Sequence, residues 1–155
     1  NLDYEDAILL LKQSVHLLEE KGGLLIGVDL KKDPNILHSA YNDHEGITAD
    51  FNLHVLENIN QELKANFNLN NFSHYAFYNP YFGRIEMHLI SKISQEIKVA
   101  DQVFNFKAGE SIHTENSYKY SQEDFEFLAK ESGFKIAKKW SDPQEFFALY
   151  YLTCE

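Results

Sequence analysis

The sequence predicts an α/β fold in which a Rossmann-like sheet domain, lacking its earlier strands, is interrupted by an inserted α+β unit of roughly ninety residues, a common domain size. Three observations predict it. A helix-period segment at 4–20 leads into the continuous apolar run 24–28, the pattern of a strand buried on both faces and of half a parallel α/β unit. The middle of the chain changes from helical to strand character. The tail then returns to a helix followed by two strands.

Taken in order, the first helix places Ala7, Leu10, Leu11, Ser14, Leu17 and Leu18 on one face, with Asp3 as its cap and Gly22-Gly23 as its stop. Pro34 opens a short helix carrying Ile36, Leu37 and Ala40. A long helix at 45–65 repeats Ile47, Phe51, Val55, Ile59 and Leu63 every four residues, which reads as one apolar face. The Asn-rich stretch 66–71 is a turn region. Strands are predicted at 72–78, 84–93, 97–107 and 112–120, with turns at Asn79-Pro80 and Ala108-Gly109. Ser121 and Asp124 have the spacing of an N-cap with a carboxylate at the third helical position. Phe125, Leu128 and Ala129 form that helix's buried face, and Gly133 ends it. Strands 134–140 and 146–152 follow, joined by Ser141-Asp142-Pro143.

The 155 residues suffice for a real hydrophobic core. A formal net charge of −10 repels phosphate backbones and argues against a nucleic-acid partner. The single cysteine, Cys154, allows no internal disulfide, and no apolar run approaches the length of a membrane span. A cytoplasmic protein is expected. Asn1 opens the chain directly ahead of a helix, which suggests a fragment rather than a natural start.

Seven histidines are scattered without HxH, HxxxH or CxxC spacing, so no metal site is expected. GxSxG, Walker and GxGxxG motifs are absent, and no catalytic residue is assigned. The segment 112–120 is more specific. As a regular strand it puts His113, Glu115, Ser117 and Lys119 on one face. Glu115 and Ser117, about 7 Å apart along the strand, could grip a planar ring with two polar nitrogens, such as an imidazole. By alternation alone, an exposed polar strand face explains the pattern better. The loop 40–48 offers Tyr41 as a donor to a ligand carboxylate and Thr48 at the start of the long helix. A helix–helix turn stabilised by Asn42, Asp43 and Gly46 accounts for the same residues.

Taken together and in order, the segments LLIGVDLKKDP (24–34), AYND (40–43), GIT (46–48), FN (51–52), INQEL (59–63), RIEM (84–87) and TENSYKY (114–120) resemble the histidine-specific methyltransferase family, as do DP (142–143) and FFAL (146–149). The best-known members of that family make hercynine in ergothioneine biosynthesis. The resemblance runs through essentially the whole chain. It implies the C-terminal part of a Rossmann-like class I methyltransferase: residues 1–32 belong to the methyltransferase sheet, 33–118 form an inserted α+β substrate-binding domain, and 119–155 return to the sheet. It further implies methyl transfer from S-adenosylmethionine to the α-amine of histidine. Asn1 and Tyr41 would hold the amino-acid group, Glu115 and Ser117 would recognise the imidazole, Met87 would line that pocket, and Thr48 would lie nearby. The segment carrying the family's glycine-rich cofactor loop is not in this sequence, so the cofactor site is expected to lie mostly outside it. Asn116 departs from the pattern, where an apolar residue is expected. Methylation of another amino acid or amine, or a non-catalytic module that kept the pocket, are the alternatives. An incomplete sheet also leaves a strand edge open to self-association.

Overall fold

The computed structural model describes residues 1–18 and 22–154. Its elements are α1 (Tyr4–Leu18), β1 (Gly23–Asp29), α2 (Pro34–Tyr41), α3 (Ile47–Leu63), a 3-10 turn (Leu69–Asn71), β2 (Phe72–Asn79), β3 (Arg84–Ser91), β4 (Gln95–Val99), β5 (Gln102–Phe106), β6 (Ser111–Tyr118), α4 (Gln122–Glu131), β7 (Phe134–Ser141) and β8 (Phe147–Cys154). The final two residues expected in the first helix, 19 and 20, lie outside the described residues. The chain divides into two compact units. One comprises Asn1–Asp33, Pro80–Arg84 and Ser117–Glu155, and the other Pro34–Asn79 and Ile85–Asn116.

In the first unit the sheet order is β1-β8-β7, and both pairings are antiparallel. Alternation along β8 sends Ala148, Tyr150 and Leu152 inward, where they meet Val28 and Leu30, Phe125, Leu128 and Ala129 of α4, and Ala7 and Leu11 of α1. The Phe125 and Tyr150 rings stack with centroids 4.3 Å apart. Ser121 and Asp124 close the capping box expected from their spacing, each side chain taking the other residue's backbone N–H.

Two expectations for this unit are corrected. The buried face of α1 runs through Ala7 and Leu11 with Tyr4, Ile8, Val15 and Leu18 packed beside them, while Leu10 and Leu17 face outward. Nor is β1 buried on both faces among the described residues; its ladder with β8 is antiparallel, and just beyond it Leu30 makes a parallel bridge to Tyr120. Both helices pack on one side of the sheet, and the opposite side leaves Leu25, Trp140, Phe147, Leu149 and Tyr151 exposed in neighbouring register positions.

In the second unit β2, β3 and β6 form a sheet in that order, and β4 and β5 form a separate hairpin. A single strand was expected over 97–107. Instead the chain reverses between Val99 and Gln102, with Ala100 at φ 49°. A left-handed turn residue that is neither Gly nor Asn gives no sequence signal. Helix α3 buries Asn52 and Leu56, with Leu53 and Ile59 beside them. The four-residue repeat expected to be its core face is largely outside, with Ile47 65% and Phe51 62% exposed. Each step of four advances about 400° around the helix, so the stripe drifts about 40° per step instead of holding one face.

Strands β3 and β6 do not pair in even register. Ser91 N–H donates to Glu110 O and Lys119 N–H to Gly83 O, both at 2.8 Å, so eight steps along β3 face nine along β6. The neighbours between those bonds agree: His113 stacks on His88, whereas Tyr118 receives a hydrogen bond from Arg84. One extra residue therefore lies between His113 and Tyr118, a bulge. The expectation that His113, Glu115, Ser117 and Lys119 share one face by strict alternation does not hold.

Candidate functional site

In the first unit, the end of β1 and the end of β6 meet around a buried cation. Lys119 is fully buried, and its Nζ donates to Asp29 Oδ2 at 2.8 Å and to Ser117 Oγ at 2.7 Å. Asp29 also receives Lys32 Nζ, which in turn donates to Phe146 O at 2.6 Å. Burial alone would raise the Asp29 carboxyl, but the bonds and charges of Lys119 and Lys32 outweigh it and hold the group below its ordinary value. Because Lys119 occupies an acceptor position of Ser117 Oγ, the hydroxyl proton points elsewhere, as a donor to an acceptor atom.

Ser117 opens onto a cavity of about 260 Å³ whose wall includes Asn1, Gly27, Asp29 and Tyr118. Two of the expected substrate residues, Asn1 and Ser117, thus line the same hollow. Tyr118 also borders a second hollow with Tyr4, Lys31 and Asp124. There burial and the neighbouring Asp124 carboxylate push the Tyr4 phenol up to about 12, so it stays protonated.

The second unit holds the other four. Met87 is buried with Leu37, Ala76 and Ile85, and the Tyr41 ring packs on that cluster. Behind Tyr41 lies a polar relay that sequence reasoning did not find. The buried Asn52 donates through Nδ2 to His74 Nδ1 at 3.0 Å and to His88 O at 3.2 Å. His74 therefore carries its proton on Nε2, which donates to Tyr41 O at 2.7 Å. Asn42 fixes the same turn, exchanging bonds with both backbone groups of Ala76. The substitution Asn52→Ala leaves a buried carbonyl and an imidazole nitrogen without their donor. It is expected to cost about 1–3 kcal/mol, read as a lower denaturant midpoint at unchanged slope; an unaltered midpoint would refute the relay.

Thr48 belongs to the cap of α3. Its N–H and that of Ile47 donate to the Asp43 carboxylate at 2.9 and 2.8 Å. The Thr48 hydroxyl and these backbone bonds lower the Asp43 carboxyl from 3.8 to about 2. A depressed carboxyl stabilises the fold above its unfolded value and loses that contribution as pH falls through the folded one. Acid unfolding between pH 3.8 and about 2 should therefore be less steep in Asp43→Asn, and identical acid titrations of both proteins would count against this cap.

Glu115 is half-buried on β6, and its carbonyl lies 3.2 Å from His113 Nε2. Next to it, Asn116 Oδ1 is buried with no hydrogen-bond donor. The residue that departs from the expected pattern thus leaves an orphaned acceptor in the strand. Asn52 and Lys119 fall within segments quoted above, but a lone polar residue in an apolar pattern does not reveal its partner.

No helix among the described residues is long and apolar enough to cross a membrane. A family model described as histidine-specific methyltransferase, SAM-dependent, matches residues 1–154. The chain is 40% identical over 134 residues to the histidine N-alpha-methyltransferase of Mycolicibacterium smegmatis, covering 85% of this chain and 42% of that protein. It is 38% identical over 128 residues to the protein of the same name from Mycobacterium tuberculosis, covering 81% and 40%. Against ergothioneine biosynthesis protein 1 of Neurospora crassa it is 27% identical over 160 residues, covering 94% and 17%. The chain spans less than half the length of these relatives.

Proposed function

The chain belongs to the histidine-specific, S-adenosylmethionine-dependent methyltransferase family, and from that premise we propose that it is the part of such an enzyme that grips the acceptor amino acid. The whole protein, on this reading, transfers methyl groups from S-adenosylmethionine to the α-amine of L-histidine. The observation that carries the reading is the Lys119–Ser117 bond beside the cavity that Asn1 also lines. A hydroxyl loaded by a buried cation is a directed donor, which suits the lone-pair nitrogen of a neutral imidazole. Glu115 would accept the ring N–H, Met87 would supply apolar wall, and Asn1 and Tyr41 would hold the amino-acid end. The unit that holds Asn1 would be the methyltransferase part, and the unit that holds Tyr41 the substrate-binding insertion.

The cavity beside Ser117 does not fit the cofactor. A Cβ on Gly23 or Gly27 would meet the Tyr151 or Phe147 ring, so these glycines accommodate sheet packing and not a nucleoside. The cavity of about 260 Å³ is also smaller than the range usual for drug-sized ligands, about 300–1,000 Å³. The cofactor brings a methyl group already activated on a sulfonium. What these residues contribute is orientation: anchoring both ends of the acceptor fixes the line of its amine and excludes water around it. Calorimetric titration of the intact protein with histidine, with and without S-adenosylhomocysteine, tests the reading. Saturable binding is expected; no histidine binding in either state would move the substrate to another amine.

A further inference from the structure

On β3 and β6 of the second unit, Glu86, His88 and His113 offer ligand atoms that all lie within 4.8 Å of one another. They are far apart in sequence, and the E-x-H spacing of Glu86 and His88 becomes a set of three only through the cross-strand neighbour. The inner part of this cluster is built. Glu86 is buried, and Asn79 Nδ2 donates to its Oε1 at 3.0 Å. His88 Nδ1 faces Ser111 Oγ at 3.3 Å. His88 Nε2 is buried without a hydrogen-bond partner and faces Glu86 Oε2 at 3.6 Å, too far for a hydrogen bond. In the tautomer whose Nδ1–H donates to Ser111, the Nε2 lone pair faces a carboxylate oxygen across that gap, and a cation between them would satisfy both.

We propose that Glu86, His88 and His113 form a binding site for a zinc-class divalent transition-metal ion, with a fourth position open. Two imidazoles and one carboxylate suit such an ion, and Asn79 and Ser111 supply the outer bonds that orient metal ligands. The His88 and His113 rings stack at 14° with centroids 4.6 Å apart. Nearly parallel rings cannot both point at one ion, so binding turns His113, the exposed member, about its side-chain bonds. The ion would tie β3 to β6.

The test is titration of the chelator-stripped intact protein with zinc in a calorimeter and with cobalt(II) by visible absorption. One equivalent is expected to bind, with cobalt d–d bands of a low-coordinate site and a zinc-dependent rise in thermal midpoint. His113→Ala, at an exposed position, should weaken binding at least about tenfold and remove the thermal shift, and Ser111→Ala should weaken it by about tenfold or more. Absence of binding, or binding that His113→Ala leaves unchanged, overturns the proposal. None of these readouts depends on methyl transfer.

Discussion

Replacing Asp29 by alanine is expected to lower stability by about 3 kcal/mol, near the bottom of the range for breaking a buried ion pair. The cause is asymmetric burial. The Lys119 side chain is 0% exposed and the Asp29 side chain 32%, so removing the carboxylate strands the ammonium where water cannot replace it. Lys119→Met should cost less, because it removes the desolvated charge itself and leaves Asp29 with Lys32 and solvent. Chemical denaturation of the two variants checks this order. Equal losses would mean that Lys119 is held mainly by packing of its stem. The pH dependence has a definite sign: the Asp29 carboxyl is depressed in the fold, so its contribution is complete above the unfolded carboxylate value and disappears as pH falls through the folded one. Asp29→Ala should also release the Ser117 hydroxyl from its fixed orientation, by freeing the Lys119 head that holds it.

Glu115→Ala in the intact protein is expected to weaken histidine binding by about 10- to 150-fold, the equivalent of one charge-assisted hydrogen bond of about 1.5–3 kcal/mol. Affinity for S-adenosylhomocysteine should stay within about twofold, because the lost bond is specific to the ring N–H. Isothermal titration with each ligand separates the two. An equal fall in both affinities would indicate a structural role for Glu115, and an unchanged histidine affinity would remove it from the site. Ser117→Ala provides the partner measurement: its loss should be smaller than that of Glu115→Ala, since a neutral hydroxyl bond is weaker than a charged one.

How much of this was legible in the residues follows the range of the interactions involved. The N-cap of α4 was readable because Ser121 and Asp124 act over three residues of one chain segment. The hairpin of β7 and β8 was readable because its turn residues are adjacent. Local patterns failed where a small angular error accumulates, as on α3, where a repeat of four drifts off the buried face that Asn52 and Leu56 occupy. They also failed where the turn carries no characteristic residue, as at Ala100.

For the site, the sequence alone determined the family, through ordered segments that run the length of the chain, and it nominated Asn1, Tyr41, Met87, Glu115 and Ser117. Tertiary structure alone decided what those residues touch. Alternation along β6 could not anticipate a bulge between His113 and Tyr118, because register is set by the partner strand β3. Nor could spacing reveal that Lys119 is neutralised by Asp29, ninety positions earlier, or that Asn52 and His74 hold the carbonyl of Tyr41. Those bonds join residues whose only relation is proximity after folding, and a burial cost that only a partner from elsewhere in the chain can offset leaves no periodic trace in the sequence.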